Sequence, residues 1–244
     1  GTPLTEGEKN VAFGYDAILV DTLGSKSTAL GKGTLTTQNF TTATDTHNTA
    51  VGHDAGNDIT TGIRNTLVGS LAGQKLTDSD DNTVLGYNAA STETLGSRFT
   101  AIGRSALSSQ SNTTATSTYN TAVGYNAGGQ VTSGASNTFL GDSAGDAVTS
   151  GGLNTALGTF AGSANSTSSN NTSVGAFAFD AGTGADNTAI GSGALGGASN
   201  SADKNVAVGK DAGNAISTGI QNTLVGSLCG DAMTSANYNT FIGY

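Results

Sequence analysis

The residues that could do chemistry in this chain are few. His47 and His53 stand six positions apart. A metal site at that spacing needs further ligands, and no matching Cys or carboxylate cluster accompanies the pair, so both histidines are expected in solvent. Asp78-Ser79-Asp80-Asp81-Asn82 has the composition of a calcium loop. It lacks EF-hand spacing, and the Gly-Asp repeat of calcium-binding β-helices is absent, so it reads as a solvated turn. Cys229 is the single cysteine, which excludes an internal disulfide framework. Matches to the glycosylation sequon, such as those at Asn39, Asn112 and Asn165, are what chance supplies in a chain so rich in Asn, Ser and Thr. A polysaccharide-cleaving site needs paired carboxylates on one face, and the acidic residues are scattered. The residues therefore predict no catalytic group, no metal site and no cofactor, and the chain is not expected to be an enzyme.

The elements that would position any site are set by a repeat. Asn120-Thr121-Ala122-Val123-Gly124 recurs fourteen times, with copies beginning at Asn10, Ser27, Asn48, Asn65, Asn82, Phe99, Asn120, Asn137, Asn154, Asn171, Asn187, Asn205, Asn222 and Asn239. Nine of the thirteen steps between copies are 17 residues; the others are one of 16, one of 18 and two of 21. A period kept this well is the signature of stacked units. With 37 Gly, one Pro and no Trp in 244 residues, and only 11% of residues charged, any core must be thin. Disorder is excluded because the large apolar residues recur at fixed repeat positions. Helix is excluded by the Gly and β-branched content and the absence of a 3.6-residue period. The net charge of −9 offers no basic face to nucleic acid, and no run is apolar and long enough to insert in a membrane. Gly1-Thr2-Pro3 reads as the start of an excised fragment, with residues 1–9 as a lead-in and 10–244 as one repetitive domain.

Numbering each coil from its Asn, position 5 is always Gly and marks the corner where a strand ends. Position 4 is always large and apolar (Val51, Val68, Leu85, Ile102 and so on), and is expected to point into the coil. By alternation position 3 then points out. It is apolar in thirteen of fourteen copies, so Leu67, Val84, Phe139, Leu224 and Phe241 are the candidate contacts of a self-association around a symmetry axis. Position 8 is nearly always Ala and position 12 often apolar, giving a short second strand followed by a Thr-Ser/Thr-Gly turn. The Asn at position 1, present in twelve copies, is expected to cap the corner and to hydrogen-bond up the stack. Tyr15, His53, Tyr87, Tyr125 and Tyr244 share position 6, but not in consecutive coils, and are expected to pack at turns.

Residues 35–47 and 108–119 carry the two four-residue insertions and share the string Thr-Thr-Ala-Thr. Loops on a rigid scaffold are where binding groups tend to sit. Gln38, Asn39, Phe40 and His47, with Gln110, Asn112 and Tyr119, are the candidate ligand-binding residues; amides and hydroxyls beside an aromatic suit a carbohydrate. Asn48–Gly73 nearly matches Asn205–Gly230, so the chain grew by copying blocks of coils.

The N-[TS]-x-[VIL]-G element, followed by a short spacer and Ala, resembles the head repeats of YadA-type trimeric autotransporter adhesins. The NTAVGYNAG and NTALG variants also resemble phage-type trimeric fibre proteins. The resemblance covers residues 10–244 at the level of the repeat. It implies a left-handed parallel β-roll, three chains per fibre and attachment to a surface, at a cell exterior or on a virion. The 17-residue coil is longer than that of the YadA-type head. The expectation is thus an all-β parallel β-solenoid of fourteen coils, roughly 60–65 Å long, assembled as a homotrimer and serving as an adhesive or spacing fibre with a carbohydrate or cell-surface receptor as partner. The competing expectation is an ice-binding solenoid that presents stacked Thr.

Overall fold

Every copy of the repeat forms a three-residue strand over its positions 2–4, and consecutive strands pair in parallel with identical positions opposite one another. The computed structural model describes residues 7–197 and 201–244; residues 1–6 of the expected lead-in lie outside these. The chain divides into two units, residues 1–120 and 121–244. Unit 1 holds strands β1 (Val11–Phe13), β3 (Thr28–Leu30), β5 (Thr49–Val51), β6 (Thr66–Val68), β7 (Thr83–Leu85) and β9 (Thr100–Ile102), paired in that order. Between them lie two small parallel sheets, β2 (Gly24–Ser25) with β4 (Thr44–Asp45), and β8 (Gly96–Ser97) with β10 (Thr116–Ser117). Unit 2 stacks β11 (Thr121–Val123), β12 (Thr138–Leu140), β13 (Thr155–Leu157), β14 (Thr172–Val174), β15 (Thr188–Ile190), β16 (Val206–Val208), β17 (Thr223–Val225) and β18 (Thr240–Ile242). Each unit is a parallel β-solenoid, and no helix occurs among the described residues.

The structure reverses the expected inside and outside of the strand. Position 3 points in: Leu67, Val84, Phe139 and Leu224 are fully buried, as are Ala50, Ala101 and Ala122. Position 4 points out, and Leu85, Leu140 and Leu157 are each more than 40% exposed. The assignment of Leu67, Val84, Phe139 and Leu224 to an interface is therefore wrong; these side chains are core. Phe241 is half-exposed because β18 pairs only with β17. The cause lies two residues earlier. The position-1 Asn faces inward, and strand alternation then sends position 3 inward too.

That inward Asn forms the ladder expected from sequence. Oδ1 of Asn48 accepts the backbone N–H of Asn65 at 2.9 Å, and the same bond joins Asn137 to Asn154, Asn187 to Asn205 and Asn205 to Asn222 at 2.9–3.0 Å. The Nδ2 of Asn65 closes its own coil on the Ser79 carbonyl at 2.7 Å, and that of Asn205 on Gly219 at 2.9 Å. These amides are almost fully buried with their partners satisfied, as buried polar groups must be.

The position-5 glycines stack against each other. Gly141 has φ +141°, and a Cβ there would lie 2.6 Å from the carbonyl oxygen of Gly158 in the next coil. The rest of the core comes from positions 8, 9 and 12, with Ala55, Leu107 and Ile59 all fully buried. The expected second strand around position 8 is a run of turns instead. Its backbone still bonds from coil to coil, Gly128 N to the Ala144 carbonyl and Thr132 N to that of Thr149, both at 2.9 Å.

Candidate functional site

The outer face of the strands carries two parallel columns. Within each unit position 4 is an apolar ridge, paired in register as Leu30, Val51, Val68, Leu85 and Ile102 in unit 1, and as Val123, Leu140, Leu157, Val174 and Ile190 in unit 2. Not one of these side chains is buried. Beside it runs position 2, Thr in twelve copies and Val at Val11 and Val206, half or fully exposed throughout. The two columns are spaced by the strand itself, with ~4.8 Å between coils and about 7 Å between columns. Isolated surface Leu or Val needs no explanation, but a contiguous apolar strip does.

The two insertions are exposed only in part: Thr41–Ala43 and Thr113–Thr116 lie at the surface, while the residues expected to bind are mostly turned inward. In the first, Gln38 is fully buried and Phe40 is 6% exposed. Gln38 Nε2 donates to Asp21 Oδ2 at 2.6 Å and to Ser27 Oγ at 3.1 Å, while its Oε1 accepts from Asn48 Nδ2 at 2.9 Å. In the second, Gln110 is fully buried and its Oε1 accepts from Asn120 Nδ2 at 2.8 Å. The buried Glu93 carboxylate beside it takes the backbone N–H groups of Thr94, Leu95, Gly96 and Asn112 at 2.7–3.1 Å, and Asn112 Nδ2 at 2.7 Å. Gln38, Phe40 and Gln110 are thus structural, and Asn112 is committed to Glu93. Only Asn39, His47 and Tyr119 of the proposed binding residues are exposed; Tyr119 Oη accepts a long hydrogen bond from Arg98 Nη1 at 3.4 Å.

The reason for the insertions was present in the sequence. The only copies without Asn at position 1 begin at Ser27 and Phe99, and these are the copies followed by a 21-residue step. The inserted Gln brings a carboxamide from the side to the Asn of the next coil, where the missing Asn would have stood.

Other candidates take ordinary structural roles. His47 and His53 are exposed, and His53 Nδ1 lies 3.1 Å from Asp54 Oδ2. In the acidic turn, Asp78 Oδ1 accepts from Thr61 Oγ1 and Asp80 Oδ1 from Ile63 N, both at 2.8 Å. Asp81 is paired with Arg64, whose hydrogen bond holds the carboxyl below its ordinary range. Among the described residues, no three His, Cys, Asp or Glu side chains group as metal ligands. Cys229 is buried, as expected at an Ala position. Tyr15, Tyr87 and Tyr125 are half or more exposed, with Arg104 over the Tyr87 ring.

Two features escaped the sequence reading. Position 7 adopts a left-handed backbone in each of the thirteen coils that reach it, and mostly holds Asp, Asn, Ser or Gly, which tolerate it. Phe160 and Phe177 adopt it at φ +53° and +56°, with their rings stacked at 5.6 Å. Asp180, in the coil of Phe177, leaves its buried Oδ1 without a hydrogen-bond partner, and burial raises its pKa. No family model matches this chain, and no curated protein and no solved structure matches it either.

Proposed function

We propose that this chain is a non-enzymatic segment of a surface-exposed fibre that assembles as a homotrimer along its position-4 ridge and supports attachment to a cell surface or receptor. The observation that carries this reading is the ridge itself: in each unit, coil after coil puts a large aliphatic or aromatic side chain on the outside of the strand. A soluble chain that keeps such a strip uncovered invites association. Cover by the same strip of an identical chain is the simplest solution, because closed symmetry repeats one contact at every coil. With the strand reversed, the residues available for self-association are those of position 4 in place of position 3. The resemblance to trimeric fibre repeats supports three copies, an extracellular or virion setting, and a role in adhesion. Mass measurement in native solution tests the assembly: three chains are expected, and a monomer at micromolar concentration overturns it.

A second reading rests on the neighbouring column. Position 2 presents Thr at regular spacing on the same outward face, the arrangement an ice-binding surface requires. Under this reading the face stays uncovered, the chain is monomeric, and a thermal-hysteresis measurement is positive. The two readings predict opposite outcomes in both experiments.

A further inference from the structure

We infer that the two long coils of unit 1 are two settings of one corner lock, and that the second setting opens more readily than the first. The corners correspond residue by residue. Asp21, Ser27, Gln38, Phe40, Thr46 and Asn48 align with Glu93, Phe99, Gln110, Asn112, Thr118 and Asn120, each 72 positions later (93 − 21 = 72, and 120 − 48 = 72). The backbones correspond as well. β4 pairs with β2 as Gly24↔Thr44, and β10 with β8 as Gly96↔Thr116. Thr46 N donates to the Ser25 carbonyl, and Thr118 N to that of Ser97, both at 2.9 Å.

The side chains fill this common frame differently. Each corner buries one Phe, but from different positions: Phe40 in the first, Phe99 in the second. In the first corner the Ser27 hydroxyl is the hub. It accepts from Gln38 Nε2 and meets Thr46 Oγ1, and Asp21 takes the same Gln38 amide. In the second corner Phe99 occupies the place of the hub and has nothing to offer a polar group. Glu93, one methylene longer than Asp21, folds onto the N–H groups of its own turn and onto Asn112. With the hub gone, and without the bond that Thr46 Oγ1 also gives to the Ser25 carbonyl at 2.9 Å in the first corner, two polar atoms are stranded. Gln110 Nε2 and Thr118 Oγ1 are buried without a hydrogen-bond partner, and they are the counterparts of the two groups that Ser27 serves in the first corner.

A buried polar atom without a partner raises the energy of the closed state, whereas local opening returns it to water. Opening the second corner is therefore cheaper than opening the first, although their backbone pairing is the same. The inference does not rest on the proposed function: it concerns the unit whether or not it trimerises.

Hydrogen exchange on the full-length chain, corrected for intrinsic rates, tests it. The amides of Thr116 and Thr118 are expected to exchange at least about tenfold faster than those of Thr44 and Thr46. The triple variant Glu93→Asp, Phe99→Ser, Asn112→Phe rebuilds the first setting in the second corner and should bring the two pairs level. The reciprocal variant Asp21→Glu, Ser27→Phe, Phe40→Asn should speed exchange at Thr44 and Thr46. Equal protection of the two corners in the wild-type chain overturns the inference, and so does a folded triple variant whose altered corner exchanges as before. The wild-type comparison decides even where a variant fails to fold.

Discussion

The backbone N–H of Asn222 donates to Oδ1 of Asn205 at 2.9 Å, across 17 residues of sequence and one coil of the stack. Asn205 Nδ2 at the same time donates to the Gly219 carbonyl at 2.9 Å, so a single carboxamide fixes both the rise to the next coil and the closure of its own. Both bonds lie in the interior, where a group that loses its partner cannot turn to water.

Asn205→Ala strands the N–H of Asn222 and the carbonyl of Gly219 together. At ~1–3 kcal/mol for each buried group left unpaired, the loss should be about 3 kcal/mol or more. Chemical denaturation, comparing midpoints at constant slope, reads it directly. Asn205→Asp keeps the acceptor but replaces the donor facing Gly219 with a second acceptor, and should be no more stable than the Ala variant at neutral pH.

Gly141→Ala should cost about 2 kcal/mol or more. The φ of +141° is one that only glycine adopts readily, and the added Cβ would press on the Gly158 carbonyl, a backbone atom that cannot swing aside. Thermal melting of this variant beside a Gly→Ala change at an open position distinguishes the strain from a general loss of flexibility.

The reversal of positions 3 and 4 separates two kinds of variant. Leu67→Asp places a charge in the fully buried interior of unit 1 and should unfold it. Leu140→Asp with Leu157→Asp alters side chains that are 46% and 41% exposed, and should leave the fold intact while dissociating the proposed homotrimer. Circular dichroism and native mass, measured on both, give the answer. A double variant that keeps the wild-type mass removes the ridge from consideration as the interface.

Asp180 gives a pH dependence of definite sign. Burial raises its folded pKa above the ordinary value of 3.8, so protonation favours the folded state. Its contribution is therefore unfavourable at neutral pH and is relieved as pH falls through the raised folded value. Asp180→Asn should melt higher than wild type near neutrality, with the difference shrinking as the solution is acidified. Melting temperatures of the pair across that range check the sign.

Much of this architecture was legible from the residues alone. The period, the Gly corner, the Asn ladder, the buried Ala of position 8 and the buried Cys229 all follow from the types of residue that recur. A size rule hidden in the same repeat would also have told inside from outside. Where position 3 is large, position 9 is small, as in Leu67 with Gly73, Phe139 with Gly145 and Leu224 with Gly230. Where position 9 is large, position 3 is small, as in Ala29 with Leu35, Ala101 with Leu107 and Ser173 with Phe179. Only side chains that share one interior need such compensation.

Sequence by itself determined that the chain coils, how long each coil is, and where its corners fall, because these depend on local backbone preference repeated at a fixed interval. Tertiary structure decided which face of a strand with apolar residues on both sides is the core. Hydrophobicity is symmetric between positions 3 and 4; burial of the position-1 amide, which must be paired inside the coil, breaks that symmetry. Tertiary structure also decided the fate of the insertions. Gln38 and Gln110 look like surface-loop residues in a polar stretch, and only the fold brings each to the gap left by an Asn missing 11 residues earlier, where hydrogen bonding draws it into the interior.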